Sequence, residues 1–139
     1  MRSTNYRDTF IVAAEDCPAS TGIIPEAKPE KPTVAAIQYE MLAEHPYEYT
    51  QEDVLFQTFV RHKRIPAEEL EARGSAMQEE FFAKDQPCLR TSPLARRYGW
   101  GFHFDPEGKV ALYPKGSAEY EEISKQASKV LKALRTSRK

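Results

Sequence analysis

The sequence has little cysteine and no long apolar run. Only Cys17 and Cys88 occur among 139 residues, far apart and outside any CxxC pair. The chain therefore indicates neither a disulfide framework nor a zinc knuckle, and we expect two reduced thiols. Its first residues lack the apolar stretch and cleavage site of a secretory signal, so we expect a cytoplasmic protein with no membrane span.

The short motifs of nucleotide, hydrolase and metal chemistry are also missing. No GxGxxG or GxxxxGK phosphate loop, no GxSxG elbow and no HExxH pair is present. We therefore expect no cofactor and no metal site. His62 falls within the apolar arc of its helix, which favours a partly buried histidine over a metal ligand.

Length and composition are typical of a folded domain. Hydrophobic residues make up 40% of the chain and charged residues 29%. This balance indicates neither a disordered chain nor a membrane protein. A chain of 139 residues can bury a sizeable core, so we predict a single domain over residues 1–139, with a Pro-rich loop or linker at residues 15–32.

Apolar spacing and turn residues predict the order of the elements. Residues 7–14 have the β-branched and aromatic density of a buried strand. Helices are predicted from Thr33, Thr50 and Pro66, because each residue is suited to begin a helix. Residues 85–97 hold two prolines and three arginines, which indicate a loop with one helical turn.

Residues 98–115 predict a β-hairpin, because Asp105-Pro106-Glu107-Gly108 suits a type I turn closed by a left-handed glycine. From Ser117 to Leu134 apolar residues recur at helical spacing, which predicts a C-terminal amphipathic helix. Strands and helices are segregated along the chain. We therefore predict an α+β fold with a small antiparallel sheet, made of the N-terminal strand and the hairpin, packed with four or so helices.

The hairpin register suggests a candidate binding face. One face is wholly apolar, and the other pairs Gly101 with Tyr113 and Gly99 with Lys115, beside His103. Glycines let a ligand approach the backbone, and nearby basic groups supply charge-assisted hydrogen bonds to a small anion. The candidate ligand-binding residues are Arg96, Arg97, Gly99, Gly101, His103, Tyr113 and Lys115.

The same residues allow other interpretations. The glycines could instead make room for a helix that crosses the sheet, with His103 solvated. The leading hypothesis is a non-enzymatic domain that binds a small anionic ligand or a protein partner, with a homodimer formed at an open sheet edge or helix face as one form of partner. The alternative is a small enzyme that uses His103 as general acid or base with Tyr113 or Cys88.

Nucleic acid binding is the third possibility. The chain has 8 Lys and Arg against 15 Asp and Glu up to residue 83, and 12 against 6 from residue 84. The basic C-terminal part could meet phosphates while Trp100 or Tyr98 stacks on bases. The sequence pI of about 6.3 makes such binding unlikely, because nucleic-acid-binding domains are usually basic overall.

Three segments of the chain resemble a family of small, uncharacterised, mostly bacterial proteins. The segments are Asn5-Tyr6-Arg7-Asp8-Thr9-Phe10-Ile11, Cys88-Leu89-Arg90-Thr91-Ser92-Pro93-Leu94 and Tyr98-Gly99-Trp100-Gly101-Phe102-His103-Phe104-Asp105. The resemblance extends over nearly the whole length and implies a bacterial-type, single-domain cytoplasmic protein. It carries over no catalytic or binding residue, because the family has no assigned activity.

Overall fold

The structure, a computed structural model, describes residues 6–26, 30, 32–84 and 88–134. Within these residues the chain forms a five-stranded sheet, five α-helices and a 3-10 turn at Leu89–Thr91. The strands are β1 (Thr9–Val12), β2 (Tyr49–Thr50), β3 (Trp100–Phe104), β4 (Lys109–Pro114) and β5 (Lys129–Lys132). The helices are α1 (Val34–Glu44), α2 (Gln51–His62), α3 (Ala67–Ala83), α4 (Pro93–Arg96) and α5 (Ala118–Gln126).

The first three helices begin where the sequence predicts. The Thr33 hydroxyl accepts a hydrogen bond from the backbone of Ala36, and Thr50 forms a full capping box with Asp53. Both arrangements satisfy backbone N–H groups that a helix start leaves unpaired. Pro66 precedes α3 without a side-chain cap. None of the described helices is long and apolar enough to cross a membrane.

The order of strands across the sheet is β2-β4-β3-β1-β5. The predicted hairpin is confirmed in its predicted register, with Phe104 opposite Val110 and Gly101 opposite Tyr113. Gly108 closes the turn at a φ of 88°. Only glycine adopts this conformation without a steric cost from its Cβ atom. The α+β class is therefore confirmed, and its hairpin follows from local turn chemistry.

The C-terminal part differs from the prediction. Helix α5 ends at Gln126, and the chain then forms β5, which pairs parallel to β1. The sheet is thus mixed, whereas the sequence predicted a purely antiparallel one. The helical spacing was misleading, because two of the apolar residues in it are exposed and pack on no helix face: Val130 of β5 is 43% exposed, and Leu134, just beyond the strand, 44%. No local pattern shows that β1 has a free edge for another strand.

The main core lies on one face of the sheet. Side chains alternate along a strand, so Phe102 and Phe104 share this face with Ile11 of β1, and all three are fully buried. On the opposite face α5 places Tyr120 against Phe10, with ring centroids 5.1 Å apart. The core face is covered by α1, α2 and α4, which contribute Ala35, Ile37, Met41, Leu42, Val54, Leu94 and Ala95.

A second apolar cluster joins α3 to α2. Its buried members are Phe56, Val60 and Met77. The rings of Phe59 and Phe81 pack beside them, with centroids 4.9 Å apart. Met77 is the one residue of α3 that is classed as buried. This amphipathic helix is therefore held mainly through side chains of α2.

The segment predicted as a Pro-rich loop packs on the end of the hairpin. Its described residues lie in no helix or strand, and residues 27–29 and 31 lie outside the described part, as do residues 85–87 of the second predicted loop. The indole N–H of Trp100 donates to the Ile23 carbonyl at 2.8 Å. The Ile23 N–H in turn donates to the Tyr98 carbonyl at 2.7 Å. These two bonds hold residues 21–24 against the start of β3.

Candidate functional site

His103 lies in a chain of three hydrogen-bonded side chains, on the face of the sheet opposite the main core. The Tyr47 hydroxyl is 2.8 Å from His103 Nδ1 and 2.8 Å from the Tyr113 hydroxyl. The register predicted that His103 and Tyr113 share a face. Sequence reasoning missed Tyr47, which comes from the loop between α1 and β2 and carries no local signal of this role.

The backbone at Tyr47 is strained, with φ of +59°. A non-glycine residue in this left-handed region costs about 1–3 kcal/mol and persists only where surrounding contacts hold it. Here the Tyr47 N–H donates to the Val110 carbonyl at 3.0 Å, and its hydroxyl is held by His103 and Tyr113. Pro46 before it has already ended the helical conformation.

The His103 cluster is uncharged near neutral pH. Burial lowers the pKa of His103 below its ordinary value of 6.5, although the carboxylates of Asp105 and Asp8 partly oppose this shift. Burial and the Tyr113 hydrogen bond raise the pKa of Tyr47 well above its usual range. In the Nε2–H tautomer, the neutral imidazole accepts the Tyr47 proton at Nδ1.

The glycine floor expected beside His103 is filled by the protein itself. A Cβ atom at Gly101 would lie 2.7 Å from Phe10 and 2.9 Å from Tyr120. Gly99, at φ of +77°, faces the backbone carbonyl of Thr21. Glycine is therefore needed at both positions for the close approach of other chain segments. This arrangement corresponds to the alternative in which a helix crosses the sheet.

The basic residues of the predicted site do not converge on His103. Arg96 Nε donates to the Leu134 carbonyl at 3.2 Å, and Lys115 Nζ donates to the Ala19 carbonyl at 3.3 Å. Arg97 is exposed at the end of α4, a helix that packs on the core face of the sheet. The structure thus brings His103 and Tyr113 together and leaves both arginines on the other side.

A separate cleft of about 340 Å³ lies between α1, α2 and residues 88–93. Its volume is within the range of about 300–1,000 Å³ that is common for small-molecule sites. Most of its walls are apolar, as is usual for such sites. The apolar residues that line it are Val34, Leu55, Phe59, Phe81, Leu89 and Pro93.

Buried polar side chains form the deep part of this cleft. Gln38 and Ser92, which both line it, are only 3% and 4% exposed. The Ser92 hydroxyl donates to Gln38 Oε1 at 2.5 Å. The hydroxyl of Thr58, which also lines the cleft, donates a hydrogen bond to the Val54 carbonyl at 2.6 Å.

Cys88 also lines the cleft, as a free thiol. The Tyr6 hydroxyl donates to its Sγ at 3.4 Å, and burial together with this bond raises the pKa of Tyr6 to about 12. Tyr6 packs on Phe104, so the thiol lies on the core side of the sheet, away from His103. The predicted pairing of Cys88 with His103 is therefore not formed; the histidine that shares the cleft is His62.

His62 and Lys63 line the cleft where α2 ends. Both side chains are exposed, so the prediction of a partly buried His62 is wrong. The period of α2 places His62 on the face that carries Leu55 and Phe59, but the helix ends there and its last turn reaches solvent. The sequence did contain an indication of this exposure, since His62 and Lys63 belong to the basic run Arg61-His62-Lys63-Arg64.

A second cleft, of about 600 Å³, lies on the other side of the Phe59–Phe81 pair. Two of its charged groups, Arg73 and Glu80, pair with each other at 3.2 Å. Across the described ranges, no group of three or more His, Cys, Asp or Glu side chains could hold a metal ion. The cleft beside Gln38 is therefore the better candidate for a binding site.

Comparison with known proteins gives one match. A family model described as "Family of unknown function (DUF6157)" matches residues 1–139. No curated protein and no solved structure matches the chain. The match covers the whole sequence and assigns no role to any residue, so the geometry has to support any functional proposal.

Proposed function

We propose that this chain, which belongs to the DUF6157 family of unknown function, is a binding domain for a small ligand with a mainly apolar body. The site is the cleft between α1, α2 and residues 88–93. The observation that carries the proposal is the concave cleft of about 340 Å³ with mainly apolar walls, in which the buried side chains of Gln38 and Ser92 supply the polar groups.

A ligand with an acceptor atom would accept a hydrogen bond from the Gln38 amide while its apolar body covers the walls formed by Leu55, Phe59 and Leu89. The polar group fixes the ligand's orientation, and the apolar walls supply most of the affinity.

Two features favour a small ligand over a protein partner. The cleft is concave and is lined by side chains of three helices and of residues 88–93. One wall is Phe81 of α3, a helix held mainly by the cluster around Met77. Helices with few buried contacts open most easily. A ligand that contacts Phe81 would therefore also stabilise α3.

Acid–base catalysis at His103 is the second candidate function. The hydrogen-bonded chain of Tyr47, His103 and Tyr113 favours it, because such a chain can relay a proton. The two clefts described above do not include these residues, so this candidate has less support. Homodimer formation and nucleic acid binding stay predictions.

The binding proposal is tested with Prodan, a neutral naphthyl ketone whose fluorescence brightens and shifts to the blue in apolar surroundings. We expect wild-type protein to bind it with saturation. Leu55→Trp should abolish binding by filling the cleft. Gln38→Met should lower the affinity for Prodan about fivefold, which corresponds to the loss of one hydrogen bond of about 1 kcal/mol.

Gln78→Met is the matched control, because Gln78 is exposed on α3 and outside both clefts; it should bind Prodan like the wild type. Circular dichroism and thermal melting establish that each variant is folded. Absence of saturable binding, or binding that is unchanged in folded Leu55→Trp protein, would contradict the proposal.

A further inference from the structure

Four consecutive basic residues, Arg61-His62-Lys63-Arg64, surround the end of α2. All four side chains are exposed, and His62 and Lys63 line the cleft. Among the described residues, none of their side chains takes part in an ion pair or hydrogen bond. Lys63 and His62 therefore line the mouth of an apolar cleft, and no described side chain forms an ion pair with either of them.

The helix dipole explains only part of this arrangement. Cations in a last helical turn are stabilised by the partial negative charge of the helix end, which accounts for Arg61 and His62. Lys63 is the C-cap residue, and Arg64 lies beyond the helix with φ of +54°. The backbone thus turns sharply just after Lys63, which lines the cleft.

The basic run Arg61-His62-Lys63-Arg64 lies in a part of the sequence that is otherwise acidic. Residues 1–83 hold 15 Asp and Glu against 8 Lys and Arg. Helix α3 begins just beyond with Glu68, Glu69 and Glu71. In α3, Arg73 pairs with Glu69 at 3.8 Å and with Glu80 at 3.2 Å, so the described ion pairs of this helix do not involve the basic run. The basic run is therefore available to an external anion.

The buried wall of the cleft and its exposed end at His62 and Lys63 differ in chemistry. Leu55, Phe59 and His62 lie on one face of α2, and the rise from the first to the last is about 10 Å. Gln38 is buried in the wall and offers a neutral donor, whereas Lys63 and His62 are at the exposed end. A ligand along α2 would thus contact the apolar walls over this length and place one end beside the positive charge of Lys63.

We infer that the cleft selects a small organic acid, with an apolar body of about 10 Å and a carboxylate or sulfonate beside Lys63 and His62. This inference rests on the proposed function and adds the charge of the ligand to it. The sequence predicted that a small anion binds at the hairpin, whereas this inference places the anionic group of the ligand at the end of α2.

The test uses two dyes with one skeleton, anilinonaphthalene sulfonate and the neutral N-phenyl-naphthylamine, both fluorescent in apolar surroundings. The sulfonate should bind more tightly, and added salt should weaken its binding alone. Lys63→Gln should lower the affinity for the sulfonate about threefold, as expected for one exposed charge pair. It should leave the affinity for the neutral dye unchanged.

Arg97→Gln is the control, since Arg97 is exposed and outside the cleft; it should change neither affinity. Leu55→Trp should abolish the binding of both dyes. If both dyes bind equally, or if Lys63→Gln weakens neither, the inference about charge is wrong while the binding site stands. If folded Leu55→Trp protein binds both dyes like the wild type, the site itself is wrong and the inference falls with it.

Discussion

The hydroxyl of Tyr47 lies 2.8 Å from Nδ1 of His103, a residue 56 positions further along the chain. This contact ties the loop between α1 and β2 to the hairpin, on the face of the sheet that α5 also covers. It connects a strained backbone to a half-buried imidazole. The relationship makes Tyr47 and His103 the most informative positions for stability measurements.

We expect Tyr47→Phe to lower the free energy of unfolding by about 1–3 kcal/mol, because two hydrogen bonds of about 0.5–1.5 kcal/mol each are lost. Urea denaturation measures the change. Tyr39→Phe is the control: the Tyr39 ring packs on Trp100 and its hydroxyl has no hydrogen bond among the described residues. Equal losses in the two variants would show that the Tyr47 bonds do not stabilise the fold.

Stability should fall when the pH drops from about 7.5 to about 5.5. The pKa of His103 is lowered in the folded protein from 6.5, so the unfolded chain binds the proton first. The stability that neutral His103 contributes is fully present above the pKa of the unfolded chain. It is lost as the pH falls through 6.5 towards the lower pKa of His103 in the folded protein. Urea denaturation across this range, with the wild type and His103→Gln, measures the difference.

His103→Gln should flatten this pH dependence. His62→Gln, at an exposed position, should leave it as in the wild type. A His103→Gln protein whose stability depends on pH as steeply as the wild type would contradict the prediction, and would place the pH dependence in other groups.

Gly101→Ala should destabilise the protein by about 1–3 kcal/mol, the usual cost of overpacking. Its new methyl group would meet Phe10 at 2.7 Å and Tyr120 at 2.9 Å. Gly74→Ala in α3 is the matched control. There the nearest atom is 3.9 Å away, and alanine should stabilise the helix by about 0.5–1 kcal/mol. Thermal melting gives both values, and a Gly101→Ala protein as stable as the wild type would show that α5 does not cover this glycine.

Two arginines hold the end of the C-terminal strand. Arg90 Nε donates to the Lys132 carbonyl at 2.8 Å, and Arg96 Nε to the Leu134 carbonyl at 3.2 Å. We therefore expect Arg90→Ala to raise the rate of hydrogen exchange in residues 129–134, because β5 lies at the edge of the sheet and, among the described strands, pairs with β1 alone. Arg97→Ala, at an exposed side chain, should leave these rates unchanged. Equal exchange rates in both variants would show that the Arg90 hydrogen bond does not stabilise β5.

Much of the local structure was predictable from the sequence. Asp105 accepts hydrogen bonds from the backbone of Glu107 and Lys109 at 2.9 Å each, which is why the turn and the hairpin register could be inferred. The capping box of Thr50 and Asp53 is equally local. The shared face of His103 and Tyr113 followed from the register, since side chains alternate along paired strands.

The rest of the candidate site depends on long-range packing. Nothing near Tyr47 indicates that it reaches His103, and nothing near Arg96 indicates that it binds the carbonyl of Leu134. The cleft beside Gln38 requires three helices in one arrangement. A basic run was visible in the sequence at residues 61–64, but only the fold shows that it lies at the mouth of a cleft.

The sequence by itself determined the elements whose reasons lie within a few residues: the helix starts, the turn at Gly108 and the alternation of the hairpin. The tertiary structure decided which surfaces meet. It turned residues 129–132 into a strand, covered Gly101 with Tyr120 and paired Gln38 with Ser92 in the wall of the cleft. The physical reason is that caps and turns form between neighbours in sequence, whereas burial depends on contacts between segments that are far apart in the chain.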